Sequence, residues 1–373
     1  MTATAAAHDG ADPQYRRSTE AKLARFVERA LGAVGVDEAD ARCVARVLVA
    51  ADLRGIESHG VARLDPFYVR RIRDGTLDPR PVPTVVRETA TSFVLDADNG
   101  LGHPASERAM RAVLEKAKTA GAAFAAVRNS NHFGIAGHYA MLALEHDAIG
   151  ICSTNSTRYG APTHGRDLML GTNPWAYAIP AASEPPFVLD FATTTVPRGK
   201  LEVYARKERA LLPGWAIDAG GDETLDARVA LDGALLPLGG FGTGNGGHKG
   251  YGLGLLADLM CGVLAGGAFG NDLPRPDSDA QPGAVSHFFG AIAIEGFRDV
   301  AAFKADVDRE LRAFKASRRV PGEARVYVAG EIEHKRTLAH RRDGVPVHVK
   351  VWANLERLAS ELAIPFDLDR DGW

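Results

Sequence analysis

Apolar residues recur at helical spacing near the start of the chain. They form one stripe, at Leu23, Phe26, Val27, Ala30 and Leu31. A second helix is predicted over 37–55, because Asp37 is a capping residue and Gly55 is typical of the position after a helix. A third helix is interrupted at Pro66. Since no alternating strand pattern separates these segments, they predict a small helical domain over residues 16–75.

The pattern changes beyond residue 76, where short apolar runs alternate with amphipathic segments. Helices are predicted within 104–121 and 135–147. Strands are predicted at 91–98, 122–129, 148–155, 175–180, 187–192 and 287–296. This mixture predicts an α/β domain over residues 76–297.

Helical spacing returns toward the end of the chain, in 300–317 and 349–364. We expect residues 298–364 to pack back on the N-terminal helices as the second part of the helical domain. Residues 1–15 lack the apolar core of a signal peptide and predict a disordered tail. The expected fold class is therefore α/β (α+β), with a small helical domain built from both chain ends and a central α/β domain.

Composition narrows the classes of function. The 373 residues carry a formal charge of −3, which argues against a dedicated nucleic-acid binder. No uncharged apolar run of about 18 residues occurs, so no membrane span is predicted and we expect a cytoplasmic protein. Cys43, Cys152 and Cys261 show no C-x-x-C spacing, which predicts buried free thiols instead of a disulfide frame or zinc site.

A glycine-rich stretch matches G-x-G-x-x-G at Gly242, Gly244 and Gly247, before an apolar helical run. A Rossmann fingerprint needs a strong strand before the glycines, and residues 232–240 make a poor strand. A phosphate-binding P-loop is excluded because a histidine precedes Lys249 and a glycine follows it. The stretch predicts either a structural glycine loop or a loop in which Lys249 approaches a phosphate.

Ser58, His59 and Arg63 lie within six residues at a predicted helix boundary. On a helix, His59 and Arg63 share one face because they are four residues apart. An arginine fork beside a neutral imidazole suits a substrate carboxylate with an adjacent oxygen. The alternative is a helix-capping serine and a surface ion pair.

His132 follows an apolar strand and precedes a helix, in a turn rich in Asn and Gly. Turns at strand ends carry functional side chains in α/β folds, and histidine exchanges a proton near neutral pH. His132 is therefore either a catalytic acid/base or a helix cap. His138 is six residues further on, a poor spacing for a paired metal site, and no metal is expected. Polar segments at 154–165, 170–180 and 189–200 suggest contacts to a polar ligand.

Several of these segments together resemble the malate/L-lactate dehydrogenase family, which is distinct from the Rossmann-type lactate and malate dehydrogenases. The matching pieces are GIESHGVARL, NSNHFGIAGHYA, GTNPWAYAIP, LDFATT and GHKGYGLGLLADLMCGVL, in that order. Two departures fall at the expected cofactor edge: Ala329 stands where the family tends to have proline, and the glycine loop before Lys249 is longer than typical.

The resemblance implies a non-Rossmann α/β domain that binds NAD or NADP, and a homodimer. It implies that His132 is the catalytic acid/base and that Lys249 reaches the cofactor phosphate, which makes the G-x-G-x-x-G match accidental. The implied substrate-binding residues are Ser58, His59 and Arg63. The remaining implied cofactor-binding residues are Ser156, Asp190, Phe191 and Ala192.

The resulting expectation is a hydride transfer between NAD(P) and a 2-hydroxy acid/2-oxo acid pair, malate- or L-lactate-like. The small-molecule partner is a carboxylate. An alternative on the same scaffold is an NADPH-dependent reductase of a cyclic imine carboxylate of the piperideine-2-carboxylate type. Two further alternatives are a metal-dependent hydrolase, which the lack of H-E-x-x-H counts against, and a binding protein without turnover.

Overall fold

The computed structural model describes residues 13–275 and 282–369 of the chain. Its contacts divide the chain into two compact units. The terminal unit combines the two chain ends, up to Asp74 and from Ile332 onward. The central unit spans Gly75–Glu331. Most of the predicted tail, residues 1–12, lies outside the described residues.

Strands and helices are numbered in chain order. The strands are β1 (Tyr15–Ser18), β2 (Thr84–Glu88), β3 (Ser92–Asp96), β4 (Ala122–Ser130), β5 (Ala148–Thr154), β6 (Trp175–Ile179), β7 (Phe187–Phe191), β8 (Ala216–Ile217), β9 (Ala234–Leu235), β10 (Val285–Ala293) and β11 (Val345–His348). The helices are α1 (Glu20–Ala33), α2 (Glu38–Leu53), α3 (Arg70–Arg73), α4 (Gly102–Ala120), α5 (Ala136–Met141), α6 (Arg198–Arg206), α7 (Ala227–Leu231), α8 (Gly247–Asp258), α9 (Val300–Ala316), α10 (Glu331–Asp343) and α11 (Val349–Leu362).

The terminal unit is built on the predicted helical stripe. The five apolar residues of the α1 stripe are fully buried, and the helix packs on α2. A two-stranded ribbon completes the unit, because β1 pairs antiparallel with β11, Tyr15 opposite His348. The sequence predicted no strand here and extended the disordered tail to residue 15, whereas Tyr15 begins β1. Strands of four residues whose partners are more than 300 residues apart leave no local pattern.

The central unit contains the predicted strands in a seven-stranded sheet, in the order β2-β3-β4-β10-β5-β6-β7. Within the described residues of this sheet, β3 and β4 form the one parallel pair. Strand β10 is antiparallel to both of its neighbours, β4 and β5. The carboxyl ends of β4 and β5 therefore meet at the edge where β10 begins. A doubly wound Rossmann sheet is mostly parallel, so this topology differs from it.

Helix α9 belongs to the central unit, whereas the sequence placed residues 298–364 in the helical domain. Asp308, on α9, accepts hydrogen bonds from the backbone N–H groups of Ala182, Ser183 and Glu184. Arg312 adds an ion pair to Glu184 at 2.9 Å. These contacts fix α9 to the turn before β7. Its amphipathic spacing alone could not indicate which neighbour it would pack on.

The three cysteines are free and buried, as predicted. Across the residues that the structure describes, no helix is both long enough and apolar enough to cross a membrane.

Helix α8 packs through glycines instead of large side chains. A Cβ atom added at Gly250 would lie 2.3 Å from the Leu238 carbonyl oxygen, and one at Gly247 would lie 2.1 Å from the Gly240 carbonyl oxygen. Real Cβ atoms do not approach backbone this closely, so α8 has to be glycine-lined on this face.

Gly250→Ala should therefore destabilise the protein by about 1–3 kcal/mol, because the added methyl group meets backbone that cannot move aside. The matched control is Gly32→Ala in α1, where nothing lies within 4 Å of the added Cβ atom. That change should stabilise by roughly 0.5–1 kcal/mol, since alanine is the better helix former. Thermal unfolding of both variants measures the difference. Equal melting temperatures would contradict the close packing of α8.

Candidate active site

The loop after β4 carries His132 and is fastened by its neighbour Asn131. The Asn131 side chain is buried, and its amide nitrogen donates to the Gly100 carbonyl oxygen at 2.8 Å and to the Asn99 carbonyl oxygen at 3.1 Å. Helix α4 closes the other side of this loop. A Cβ atom at Gly102 would lie 2.1 Å from the Asn131 carbonyl oxygen. The backbone around His132 is therefore held by two segments.

His132 itself is half-buried at this strand end. Its Nδ1 accepts a hydrogen bond of 3.3 Å from the backbone N–H of Gly134. Gly134 has φ of +82°, a conformation that favours glycine. An accepting Nδ1 assigns the proton of the neutral ring to Nε2. The predicted acid/base thus stands on a fixed turn with a defined tautomer.

A second histidine, His287 in β10, lies buried behind this loop. Its ring nitrogens hydrogen-bond the side-chain oxygens of Ser130 and Thr154, both at 2.8 Å. Its ring stacks on Phe133 with centroids 4.5 Å apart. Burial lowers the pKa of His287 to about 3, so the ring stays neutral at neutral pH. The sequence analysis missed His287, although a histidine inside an otherwise apolar strand was a signal.

Asp190, predicted to bind cofactor, joins β7 to the helix that follows the His132 loop. Its carboxylate accepts a hydrogen bond of 2.7 Å from the Gly137 N–H in the first turn of α5. A carboxylate at a helix N-terminus is favoured by the helix dipole. Phe191 packs against the buried cluster of Trp175 and Phe288, and Ala192 is half-buried. The structure therefore connects β7 with the segment that follows His132.

The outer edge of β7 is closed by the segment where this chain departs from the family pattern. The Val188 N–H donates to the Ala329 carbonyl oxygen at 3.2 Å. Gly330, with φ of +86°, lies against Val188. Proline also has a carbonyl oxygen, so alanine at 329 keeps the acceptor that β7 uses.

Ser156 lies two residues beyond β5, and its hydroxyl oxygen accepts a hydrogen bond of 3.2 Å from the Thr172 N–H. The residue before it, Asn155, is fully buried. Its amide nitrogen donates to Asp258 at 3.1 Å and its oxygen accepts from the Ser286 N–H at 2.8 Å. Asn155 therefore joins the end of β5 to α8 and to the start of β10. The sequence analysis did not single out Asn155 or Asp258.

Lys249 is the third residue of α8 and is exposed. Within the described part of the chain its ammonium group makes no ion pair or side-chain hydrogen bond. Gly246, at the helix start, has φ of +89°. A glycine loop, a helix N-terminus and an uncommitted lysine together form a donor set that fits a phosphate. Contacts between Lys249 and the other predicted cofactor residues are not seen among the described residues.

The glycine motif before Lys249 does not follow a Rossmann strand, as the sequence predicted. The preceding strand, β9, has two residues and pairs antiparallel with β8, outside the seven-stranded sheet. The G-x-G-x-x-G match is therefore accidental in this fold. Its glycines serve backbone packing and turns instead.

Ser58, His59 and Arg63 lie together in the terminal unit. They occupy two short 3-10 turns, Glu57–His59 and Val61–Arg63, so the prediction of one shared helix face was wrong. Gly60 has extended backbone between the turns and ends the first one. The Arg63 Nε nevertheless donates to the Ser58 carbonyl oxygen, at 2.5 Å.

The imidazole of His59 is neutral near pH 7. Its Nδ1 lies 2.9 Å from the Ser58 hydroxyl oxygen. Burial, together with the positive charge of Arg63, lowers the pKa of His59 to about 4. The Arg63 guanidinium lies over the Phe67 ring at 4.6 Å, which supports its plane. A neutral hydrogen-bonding ring therefore lies near a guanidinium that rests on an aromatic ring. Among the described residues, no group of three His, Cys, Asp or Glu side chains could hold a metal ion.

Comparison with known proteins identifies the family. The family model described as malate/L-lactate dehydrogenase matches residues 19–356. A malate dehydrogenase of Pyrococcus abyssi is 42% identical over 354 residues, 95% of this chain and 97% of that protein. A delta(1)-pyrroline-2-carboxylate reductase of Ancylobacter novellus is 32% identical over 331 residues, 88% of this chain and 93% of that protein.

The solved structures agree with this match. The crystal structure of malate dehydrogenase from Entamoeba histolytica superposes with a TM-score of 0.91 at 36% identity, covering 95% of this chain and all of that one. The family match over residues 19–356 covers all the segments that carry the predicted site residues. This protein is a member of the malate/L-lactate dehydrogenase family.

Proposed function

We propose that this protein is an NAD(P)-dependent oxidoreductase that interconverts a 2-hydroxy acid and a 2-oxo acid, with malate or L-lactate as the model substrates. The observation that carries the proposal is the His132 imidazole, fastened at the end of β4 and hydrogen-bonded at Nδ1. The family membership and the malate dehydrogenase relative favour a hydroxy acid over a cyclic imine. The reductase relative keeps the imine carboxylate as the second candidate.

Lys249, at the start of α8, is proposed to hold the phosphates of the cofactor, with Ser156, Asp190, Phe191 and Ala192 as the remaining cofactor residues. When bound, the nicotinamide supplies or accepts the hydride at C2 of the substrate. The fit rests on the exposed ammonium of Lys249 beside a glycine loop and a helix N-terminus. Assays with NAD and with NADP will decide which of the two is the cofactor.

His132 is proposed to move the proton. In the reducing direction its imidazolium gives the Nε2 proton to the C2 oxygen. The imidazolium has no lone pair at Nδ1, so the 3.3 Å hydrogen bond from the Gly134 N–H is already given up when the ring is protonated, at about 1 kcal/mol, and the ring that remains after the transfer carries its proton on Nδ1. In the oxidising direction the neutral ring acts as the base in its Nδ1–H tautomer, which gives up the hydrogen bond from Gly134, and the free lone pair of Nε2 takes the hydroxyl proton.

Arg63 is proposed to pair with the substrate carboxylate, because a guanidinium matches a carboxylate with two parallel N–H donors. His59 and Ser58 are proposed to orient the C2 oxygen. With a pKa of about 4, His59 is neutral and does not compete with Arg63 for the carboxylate charge. Its hydrogen bond with Ser58 fixes the ring.

We also propose a homodimer. Large apolar side chains are between 37% and 56% exposed along α8 and the turn of π-helix after it, at Leu255, Leu256, Leu259, Val263 and Leu264. An exposed apolar stripe of this kind is typical of a surface that a second copy covers. Sedimentation velocity measures the mass, and a monomer would contradict this assembly. The cytoplasmic location stays a prediction from the sequence.

The reaction is tested with a panel of 2-oxo acids and cyclic imine carboxylates, followed by absorbance at 340 nm with NADH and with NADPH. His132→Asn should lower kcat on the best substrate by roughly 10²–10⁴, because the amide cannot exchange a proton. Cofactor Kd should stay unchanged. The control is His146→Asn, in the turn after α5. A His132 variant with normal turnover would remove this residue from the proton transfer.

Arg63→Lys should lower kcat/KM for the best 2-oxo acid by roughly one to three powers of ten, since lysine keeps the charge and loses the fork. Arg63→Met should lower it further. The matched control is Arg42→Met, which removes an exposed ion pair with Glu38 in α2 and should leave kcat/KM unchanged. Steady-state kinetics compare the three. If Arg63→Met behaves like the control, the carboxylate is bound elsewhere.

Lys249→Ala should raise the cofactor Kd while substrate KM at saturating cofactor changes little. The effect should shrink as salt is added, because an exposed charge contact is screened. The control is Lys118→Ala, which removes an exposed ion pair with Glu115. Fluorescence titration with reduced cofactor gives the cofactor Kd of both variants. An unchanged Kd would return the α8 loop to a structural role.

A further inference from the structure

The terminal unit contains a buried carboxyl group, that of Asp52, which has no role in the proposed reaction. Asp52, near the end of α2, is 4% exposed. Its Oδ2 accepts a hydrogen bond of 2.8 Å from the Val61 N–H. Val61 is itself buried and is the first residue of the 3-10 turn that ends at Arg63. The carboxyl group therefore holds the first N–H of the turn that carries Arg63.

The contact is fitted closely from the other side as well. A Cβ atom at Gly60 would lie 1.8 Å from the Asp52 Oδ1 and 2.2 Å from its Cγ. The φ of Gly60, −88°, is accessible to any residue, so the close approach is what demands glycine here. The Gly60 carbonyl oxygen in turn accepts from the Arg63 N–H at 2.9 Å. A short chain of contacts thus links Asp52 to the backbone of Arg63.

The remaining contacts of Asp52 fix it in place. Its backbone carbonyl oxygen accepts from the Gly55 N–H at 3.0 Å and lies 3.2 Å from the Nδ1 of His340, on α10. Asp52 is therefore held by contacts at the end of α2 and with α10, which lie outside the two 3-10 turns. A fixed acceptor under a short turn sets where the turn lies, because a buried N–H has to keep a partner.

We propose that Asp52 is a positioning residue for substrate binding, which holds the Val61–Arg63 turn so that the guanidinium meets the carboxylate of a 2-hydroxy or 2-oxo acid. This inference rests on the proposed function of Arg63. Asp52 touches no reacting atom; it acts through the backbone between Gly60 and Arg63. Its role is to orient Arg63 before the substrate arrives, which reduces the cost of binding.

The chemistry of the carboxyl group supplies a conservative replacement. Burial, above all, and the negative charge of Glu57 raise the pKa of Asp52 to about 8, although the Val61 N–H opposes the shift. The group is therefore mostly neutral at pH 7. Asparagine has the same shape, is neutral and keeps an oxygen that accepts from the Val61 N–H.

Asp52→Ala should raise KM for the best 2-oxo acid at least tenfold at saturating cofactor, with cofactor Kd unchanged. Asp52→Asn should stay within about threefold of the parent at pH 7. Gly60→Ala serves as a second variant if Asp52→Ala folds poorly, since its methyl group disturbs the same contact from the other side. The control for lost stability is Val27→Ala, in the buried stripe of α1, which should lower Tm and leave KM unchanged.

Arg63→Met distinguishes the two ways of failing. If Arg63→Met raises KM and Asp52→Ala and Gly60→Ala do not, this inference is overturned while the proposed function stands. If Arg63→Met has no effect, the substrate half of the proposed function fails first. Adding Asp52→Ala to Arg63→Met should raise KM by less than threefold more, because both changes remove one interaction. Full additivity of the two changes would also overturn the inference.

Discussion

The central unit depends on the two hydrogen bonds that the buried imidazole of His287 makes. β10 is antiparallel to both β4 and β5, so its first residues lie beside the last residues of those two strands. His287 uses both ring nitrogens there, one on Ser130 and one on Thr154. His132 and Ser156 each follow those strand ends by two residues. One neutral ring thus fixes the spacing of the two loops to which the proposal assigns proton transfer and cofactor binding.

Buried and half-buried polar side chains repeat this arrangement around the sheet edge. Asn131 ties the His132 loop to the turn before α4, and Asn155 ties β5 to α8 and β10. Asp190 ties β7 to α5. Asn131 and Asn155 have to be hydrogen-bonded because they are withdrawn from water, and these two and the half-buried Asp190 each find a partner in a different segment. These hydrogen bonds from polar residues at the strand ends hold the loops of the candidate site in place.

Much of this could be predicted from the sequence, and the failures have physical reasons. Short apolar runs predicted β3 to β7, and polar turns after them indicated where His132 and Ser156 would lie. The insertion of β10 between β4 and β5 could not be predicted, since pairing at Ser130 and His287 joins residues 157 positions apart. The sequence analysis did not single out Asp52, because its partner Val61 belongs to a turn that helical spacing did not predict. The G-x-G-x-x-G match illustrates that glycines are selected by backbone geometry, and here Gly247 is required by the Gly240 carbonyl oxygen.

The central claim is that this chain transfers a hydride between a nicotinamide cofactor and C2 of a hydroxy acid. Its most direct test is isotopic: the best 2-oxo acid is reduced with NADH or NADPH deuterated at C4 of the nicotinamide, on each face in turn, and the product is examined by proton NMR. We expect deuterium at C2 from one of the two faces and protium from the other. A product that carries no deuterium from either face, or the absence of a product with every 2-oxo acid and both cofactors, would contradict the account.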